Sequence, residues 1–386
     1  MLLPEKITSV YGITESLLQN AIEVCIRKTD FHMMKFVERY PAEYAVNGRY
    51  GYLRDGKGSG WLGFWGGLVW LSYLMTGEKR TRFYGKRLTG YICSLLKEEL
   101  IHSDLGFLVM PSCVADYRMT GSEGALAAVN MAARSLLEKY NAKSGVICSS
   151  KSENLNDLPS YKISNLLNIQ VLVEANKFMG DDRFGEVAAK NLELICRNNI
   201  REDGRTGFRV LAGKDPRGVA VDDGETRAYA WALYGMAVCY ATTGDRKYLE
   251  RFEKVFQYLQ AYKKDKTYYY EYLDGTAYEG RMDSTSAAIV AAAFTEVLQN
   301  RELYEGRISG TDRWLKEWQE ELGRLLNLLI FEYAAPSDGK EESILLGAEV
   351  FSGNGHRSTS TLCGDYFYLE TLIRNIKTVE SFWHVS

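Results

Sequence analysis

A short pattern ending in glycine returns four times along this chain: YLMTG at Gly77, YRMTG at Gly121, NKFMG at Gly180 and YATTG at Gly244. Each closes an apolar segment and is followed by polar residues. After Gly77, apolar residues fall at Phe83/Tyr84, Leu88, Tyr91/Ile92 and Leu95/Leu96; after Gly244, at Tyr248/Leu249, Phe252, Val255/Phe256 and Leu259. After Gly121 the stripe is Leu126, Val129, Ala133, Leu136/Leu137 and Tyr140. Spacings of three and four put these side chains on one helical face. A glycine that enters the left-handed region ends the helix before it, and the acid or serine that follows starts the next. The unit is helix, tight turn, helix.

Segments before the glycines, such as GFWGGLVWLSYLM and TRAYAWALYGMAVCYA, are apolar nearly all round, whereas those after them are amphipathic. Alternating fully buried and half-buried helices describe an inner ring wrapped by an outer one. A spacing of roughly fifty residues gives about six hairpins over this length, which predicts an all-α (α/α)6 toroid, with an open solenoid as the alternative. Only 6 prolines interrupt the chain, as long helices require. Strand signals are few: TGFRVLA (206–212) and TYYYEYL (267–273) read as short loop hairpins. No linker or shift in composition divides the chain, so residues 1–386 are expected to form one domain. In a toroid, residues entering or leaving the inner helices line the central cavity and are the candidate site residues.

Lys and Arg total 47 against 50 Asp and Glu, without a basic stripe, which argues against a nucleic-acid partner. The 26 tyrosines and 7 tryptophans suit a cleft that stacks on sugar rings or bases. Seven cysteines stand singly, with no CxxC pair, and read as reduced core thiols of a cytosolic protein. The start of the chain lacks a basic-then-apolar leader and no apolar stretch reaches spanning length, so a soluble, cytoplasmic protein with no membrane partner is expected. No metal-ligand cluster, GxGxxG or P-loop pattern occurs, so neither metal nor cofactor is expected.

One carboxylate stands out. IHSDLGFLVM (101–110) places Asp104 at the edge of a mostly apolar run, where an acid must be paired, hydrogen-bonded or protonated. It is either a helix cap, a paired core acid or a catalytic group.

GFWGGLVWL (63–71), SDLGFL (103–108), TRAYAWALYGMA (226–237), MDSTSAAI (282–289) and GDYFYLETLIR (364–374) stand in an order that resembles the unsaturated glucuronyl hydrolases, glycoside hydrolase family 88. The resemblance covers roughly residues 60–375. It implies an (α/α)6 barrel acting on oligosaccharides that carry a C4–C5 unsaturated uronic acid at the non-reducing end. The chemistry implied is hydration: an acid protonates the enol ether, water activated by a carboxylate adds to C5, and the hemiketal opens to release the neighbouring sugar. Two carboxyl groups in different roles are needed.

By this resemblance Asp104 matches one of the two catalytic acids. The second belongs to a pattern of Asp-x-Leu-x-Asn, and in the matching stretch YKISNLLNIQVL (161–172) its position holds Ser164, with Asn168 kept. A serine hydroxyl is far too weak an acid to protonate carbon at neutral pH. A family histidine before the first acid is replaced by Ser103, another aligns with Arg209, and a sugar-lining aromatic falls near Ser150. Arg227 and Trp231 match a guanidinium and an indole that face the family's cavity, suited to carboxylate or hydroxyls and to stacking; core packing is the competing role for Trp231. Trp61 reads as a site residue and Trp65 as core, while Asp283 reads as a structural cap or pair. Asp222, Asp223 and Glu225, just before Arg227, or Asp157 could replace the missing donor; otherwise they are solvated loop acids. His356, in the loop FSGNGHRSTSTLCGDY, could close over the cavity mouth. Two readings follow: a hydrolase of unsaturated uronyl oligosaccharides, or a catalytically silent sugar-binding toroid. A different sugar enzyme of this fold, such as an epimerase, would need cavity histidines, and the chain has only His32, His102, His356 and His384.

Overall fold

All four recurring glycines lie in the left-handed region, with φ of 67° at Gly77 and Gly121, 61° at Gly180 and 66° at Gly244. Each sends its own N–H back to a carbonyl of the helix it closes. The structure is a computed structural model and describes residues 1–53, 59–99, 101, 104–147, 160–211, 219–223, 225–263, 269, 282–306, 308–337, 339–352 and 355–384.

The helices are α1 (Glu5–Tyr11), α2 (Glu15–Lys35), α3 (Leu62–Thr76), α4 (Lys79–Lys97), α5 (Leu105–Val109), α6 (Ala115–Thr120), α7 (Glu123–Glu138), α8 (Asn165–Met179), α9 (Asp182–Asn198), α10 (Thr226–Thr243), α11 (Arg246–Tyr262), α12 (Ser284–Gln299), α13 (Thr311–Leu328) and α14 (Leu362–Ile376). A π-helical turn, Met110–Val114, joins α5 to α6. Pro111 lies in that turn, and a residue without an N–H favours such a widened register.

Neighbour contacts run from α3 to α5, then α8, α10, α12, α14 and back to α3. The inner ring is therefore closed, an (α/α)6 barrel and not an open solenoid. The outer helices α4, α9, α11 and α13 pack on α3, α8, α10 and α12, and α7 packs on the π turn between α5 and α6. The sixth hairpin is not local: α2 packs on α14, so segments from the two halves of the sequence complete the ring. Burial follows the sequence pattern. From Ala228 to Tyr240 every residue of α10 is buried, whereas α9 and α11 bury one stripe each.

Short strands cap one end of the ring. β1 (Pro41–Val46) pairs with β2 (Arg49–Tyr52), and β3 (Tyr140–Asn141) with β4 (Val146–Ile147). β5 (Ser160–Lys162), β6 (Gly207–Leu211) and β7 (Val219–Asp223) form an antiparallel sheet in that order. β8 (Ala348–Ser352) and β9 (Gly355–Thr359) make a last hairpin. The strand expected at 206–212 is β6; the one expected at 267–273 lies outside the described residues apart from Tyr269. β5 leads into α8, β7 into α10 and the β8–β9 hairpin into α14, so strands and inner-helix starts share one end. The six described cysteines are free thiols, and Cys148 lies outside the described residues. Among the described residues no helix is long and apolar enough to cross a membrane.

Candidate active site

Asp104 precedes α5 with φ 54° and ψ 36°, one of three non-glycine residues in the left-handed region among those described. Aspartate tolerates this conformation better than most residues but still at a cost of about 1 kcal/mol, so its surroundings must hold it. They do so at very close range. A Cβ built on Gly60 would lie 2.8 Å from the Asp104 Cβ and 2.7 Å from its carbonyl oxygen. Only glycine lets the chain before α3 approach so near. One turn on, the Leu108 N–H donates to the Asp104 carbonyl at 3.1 Å.

The next contact joins two inner helices. The Gly106 N–H donates to Asn168 Oδ1 at 2.7 Å, and a Cβ on Gly106 would meet the Asn168 Cα at 2.6 Å. Asn168 Nδ2 donates to Asn165 Oδ1, and Asn165 Nδ2 to the Ile147 carbonyl. Ser164 immediately precedes α8, makes no side-chain cap bond to it, and is 3% exposed. Asp104 and Ser164 thus begin two adjacent inner helices stitched together through Asn168. The role of Asn165 in that stitch had no signal beyond its neighbour in the sequence.

An aromatic wall descends from Asp104. Phe107, one turn below, is edge-on to Trp61 at 6.4 Å and stacks on Trp231 at 4.9 Å and 27°. Trp61 is half-buried, while Trp231 is 3% exposed and also meets Phe367 edge-on. Trp65 is core, as the sequence suggests: it is fully buried, and its indole N–H donates to the Tyr84 hydroxyl.

Arg227 and Trp231 share α10, four residues apart. Arg227 Nε donates to Asp283 Oδ2 at 3.1 Å and its Nη2 to Asp283 Oδ1 at 2.7 Å and to the Glu349 carbonyl at 2.9 Å. Burial disfavours the guanidinium's charge, but the Asp283 carboxylate outweighs it and raises the Arg227 pKa further. Ser286 Oγ also donates to Asp283. Asp283 is therefore a pairing residue at the start of α12, and one edge of Arg227 is held by protein. Glu225, half-buried at the α10 N-cap, adds a negative charge close enough to act on Arg227.

Arg209 is exposed on β6, between Lys162 and Val221 in register. Asp223 lies opposite Gly207 and His356 opposite Phe351; the side chains of Asp222, Asp223 and His356 lie outside what is described. Asp157, Ser150, His102 and Ser103 lie outside the described residues altogether. His32 is buried, and burial with Lys35 and Lys28 nearby pushes its pKa down to about 3, which leaves it neutral among aromatic rings. Asp365, unremarked within GDYFYLETLIR, is a buried anchor: it accepts from the Tyr50 hydroxyl at 2.9 Å and the Leu345 N–H at 2.8 Å. The inner helices all begin at this end, so the positive ends of their dipoles point there.

No family model matches the chain. The unsaturated chondroitin disaccharide hydrolase of Streptococcus pyogenes serotype M1 is 26% identical over 398 residues, covering 98% of this chain and 96% of that protein. The crystal structure of unsaturated glucuronyl hydrolase from Streptococcus agalactiae superposes with a TM-score of 0.85 at 26% identity, covering 96% of this chain and 94% of that one. A mutant of that protein complexed with dGlcA-GalNAc6S gives a TM-score of 0.79 at 25% identity, with 96% and 94% covered. These likenesses, over nearly the whole of both chains, support the unsaturated glucuronyl hydrolase family.

Proposed function

We propose that this chain hydrates the C4–C5 double bond of an unsaturated uronic acid at the non-reducing end of an oligosaccharide. The observation that carries the reading is Asp104, held in a left-handed conformation at the start of an inner helix whose Gly106 N–H is bonded to Asn168 of the helix that Ser164 begins. Full-length likeness to hydrolases of unsaturated disaccharides supports the substrate class.

In this reading a proton goes to C4, water adds its oxygen to C5, and its proton passes to a carboxylate. The hemiketal at C5 then opens and the neighbouring sugar leaves with its glycosidic oxygen. Asp104 serves as the base or as a stabiliser of the developing charge. Trp61, Ser164, Arg209, Arg227, Trp231 and His356 bind the sugar, with the free edge of the Arg227 guanidinium turned to the uronate. Ser164 cannot donate the proton, and Glu225 or Asp223, at the entry to α10, takes that task. The chain works as one domain in the cytoplasm, without metal or cofactor.

Ser164 also favours a second reading, a toroid that binds such sugars without turning them over. The purified chain is incubated with a lyase-generated unsaturated chondroitin disaccharide, and the ultraviolet absorbance of the enol ether is followed. Loss of the band supports hydration. A constant band with binding heat in calorimetry supports the silent reading, and absence of both overturns the assignment.

A further inference from the structure

The ring is closed at its far end by a segment that follows α14. Residues 379–384 lie against the C-terminal halves of the inner helices, and their contacts come from almost every one. Arg374 of α14 donates from Nε to the Val379 carbonyl at 3.2 Å. Ser381 Oγ donates to Glu370 Oε1 at 2.8 Å and lies 2.9 Å from the Tyr234 hydroxyl of α10. Arg118 of α6 reaches the Ser381 carbonyl at 3.2 Å and the His384 carbonyl at 2.6 Å, while also pairing with Glu174 of α8. His384 Nδ1 lies 3.5 Å from Glu296 of α12.

The side chain in the middle of this clamp points up the barrel. Trp383 is 0% exposed. Its ring packs against Phe64 of α3 at 6.3 Å, Phe107 of α5 at 6.1 Å and Phe367 of α14 at 6.4 Å. Phe107 is the residue that stacks on Trp231 and stands one turn below Asp104. A continuous column therefore runs from the far-end segment to the candidate catalytic carboxylate: Trp383, Phe107, then the strained backbone of Asp104. Side chains in such a column transmit displacement because a packed interior has no slack to absorb it.

We propose that residues 379–384 plug the far end of the ring and that Trp383 is a positioning residue for Asp104, acting through Phe107. The kinetic part rests on the hydration reading above; the structural part does not.

The test uses the full chain carrying Trp383→Ala or Trp383→Phe. Hydrogen exchange is measured on peptides spanning 104–109, where the Gly106 amide is held by Asn168. The alanine variant should exchange about tenfold or more faster there, with α4 unchanged, and the phenylalanine variant should recover most of the protection. On an unsaturated disaccharide, the alanine variant should lose about tenfold or more in kcat with KM nearly constant, because misplacement of a reacting group is felt at the chemical step. Should the alanine variant fail to fold, Ser381→Ala, which removes the clamp's contact with Glu370, is measured in the same way. Unchanged exchange at 104–109 in a folded variant overturns the proposal. A wild-type chain without hydration activity removes the hydrolase reading and leaves the exchange result to decide this one.

Discussion

Arg227 grips Asp283 with two nearly parallel hydrogen bonds, Nε to Oδ2 at 3.1 Å and Nη2 to Oδ1 at 2.7 Å, across the starts of α10 and α12. The pair has side-chain exposures of 16% and 2%, so neither charge is well solvated. Breaking such a pair from one side leaves an uncompensated ion, at a cost of about 3 kcal/mol. Asp283→Asn should therefore lower stability by about that much in urea denaturation. Arg227→Lys keeps the charge but loses the fork geometry and should fall between the two. Equal stability of all three proteins would mean that the pair does not hold the two helix starts together.

Asp104→Asn separates chemistry from architecture. Asparagine accepts the left-handed conformation as readily as aspartate, so the melting temperature should stay within a few degrees. On the proposed role, in which this carboxylate takes a proton from water, its loss should cost about a hundredfold or more in turnover. Gly60→Ala attacks the same place from the other side. Its new methyl would meet the Asp104 Cβ at 2.8 Å and carbonyl at 2.7 Å, and should reduce stability and turnover together.

Ser164, which the resemblance aligns with the second acid, can be changed directly. Ser164→Asp supplies the group that the resemblance leads one to expect, at a site 3% exposed, where burial would raise its pKa toward that of a proton donor. We expect turnover of an unsaturated disaccharide to rise about tenfold, with stability lowered by about 1–2 kcal/mol for burying the carboxyl. Glu225→Gln in the wild-type background should reduce turnover. A Ser164→Asp protein no faster than wild type, beside an undiminished Glu225→Gln, would remove both assignments.

Stability should also depend on pH through the far end of the ring. Burial pushes Glu370 from 4.5 up to about 7, despite hydrogen bonds from Ser381 and Tyr234. The folded state thus holds this proton more tightly than the unfolded chain. Its contribution is complete below about 4.5 and is lost as the pH rises through about 7. The swing is roughly 3 kcal/mol. Glu296 has the opposite sign: against its burial, Arg374 and His384 hold it down to about 2, so its contribution is lost as the pH falls from about 4.5 toward 2. Denaturation of Glu370→Gln between pH 5 and 8 should show a flatter curve than wild type; parallel curves would count against this account.

Much of the helical layout is legible in the sequence because it is decided locally. The left-handed glycines at 77, 121, 180 and 244, and the stripes after them, depend only on hydrogen bonds and side-chain spacing within a turn or two of chain. They mark α3 with α4, α6 with α7, α8 with α9, and α10 with α11 at once. β6 was legible for the same reason. The candidate positions Asp104, Ser164 and Arg227 likewise fall at helix starts, where the sequence places them.

What those side chains face was another matter. Inner helices such as α10 are apolar on every side, so no periodicity distinguishes the face toward the ring's axis from the face toward a neighbour. That Trp231 stacks on Phe107, that Arg227 meets Asp283 56 residues further on, and that α2 closes the ring against α14 are set by partners far away in the chain. Trp383 beneath Phe107 carries no local signal at all. Local backbone geometry determined the helices and their turns; only close packing of distant segments decided which partners their side chains meet.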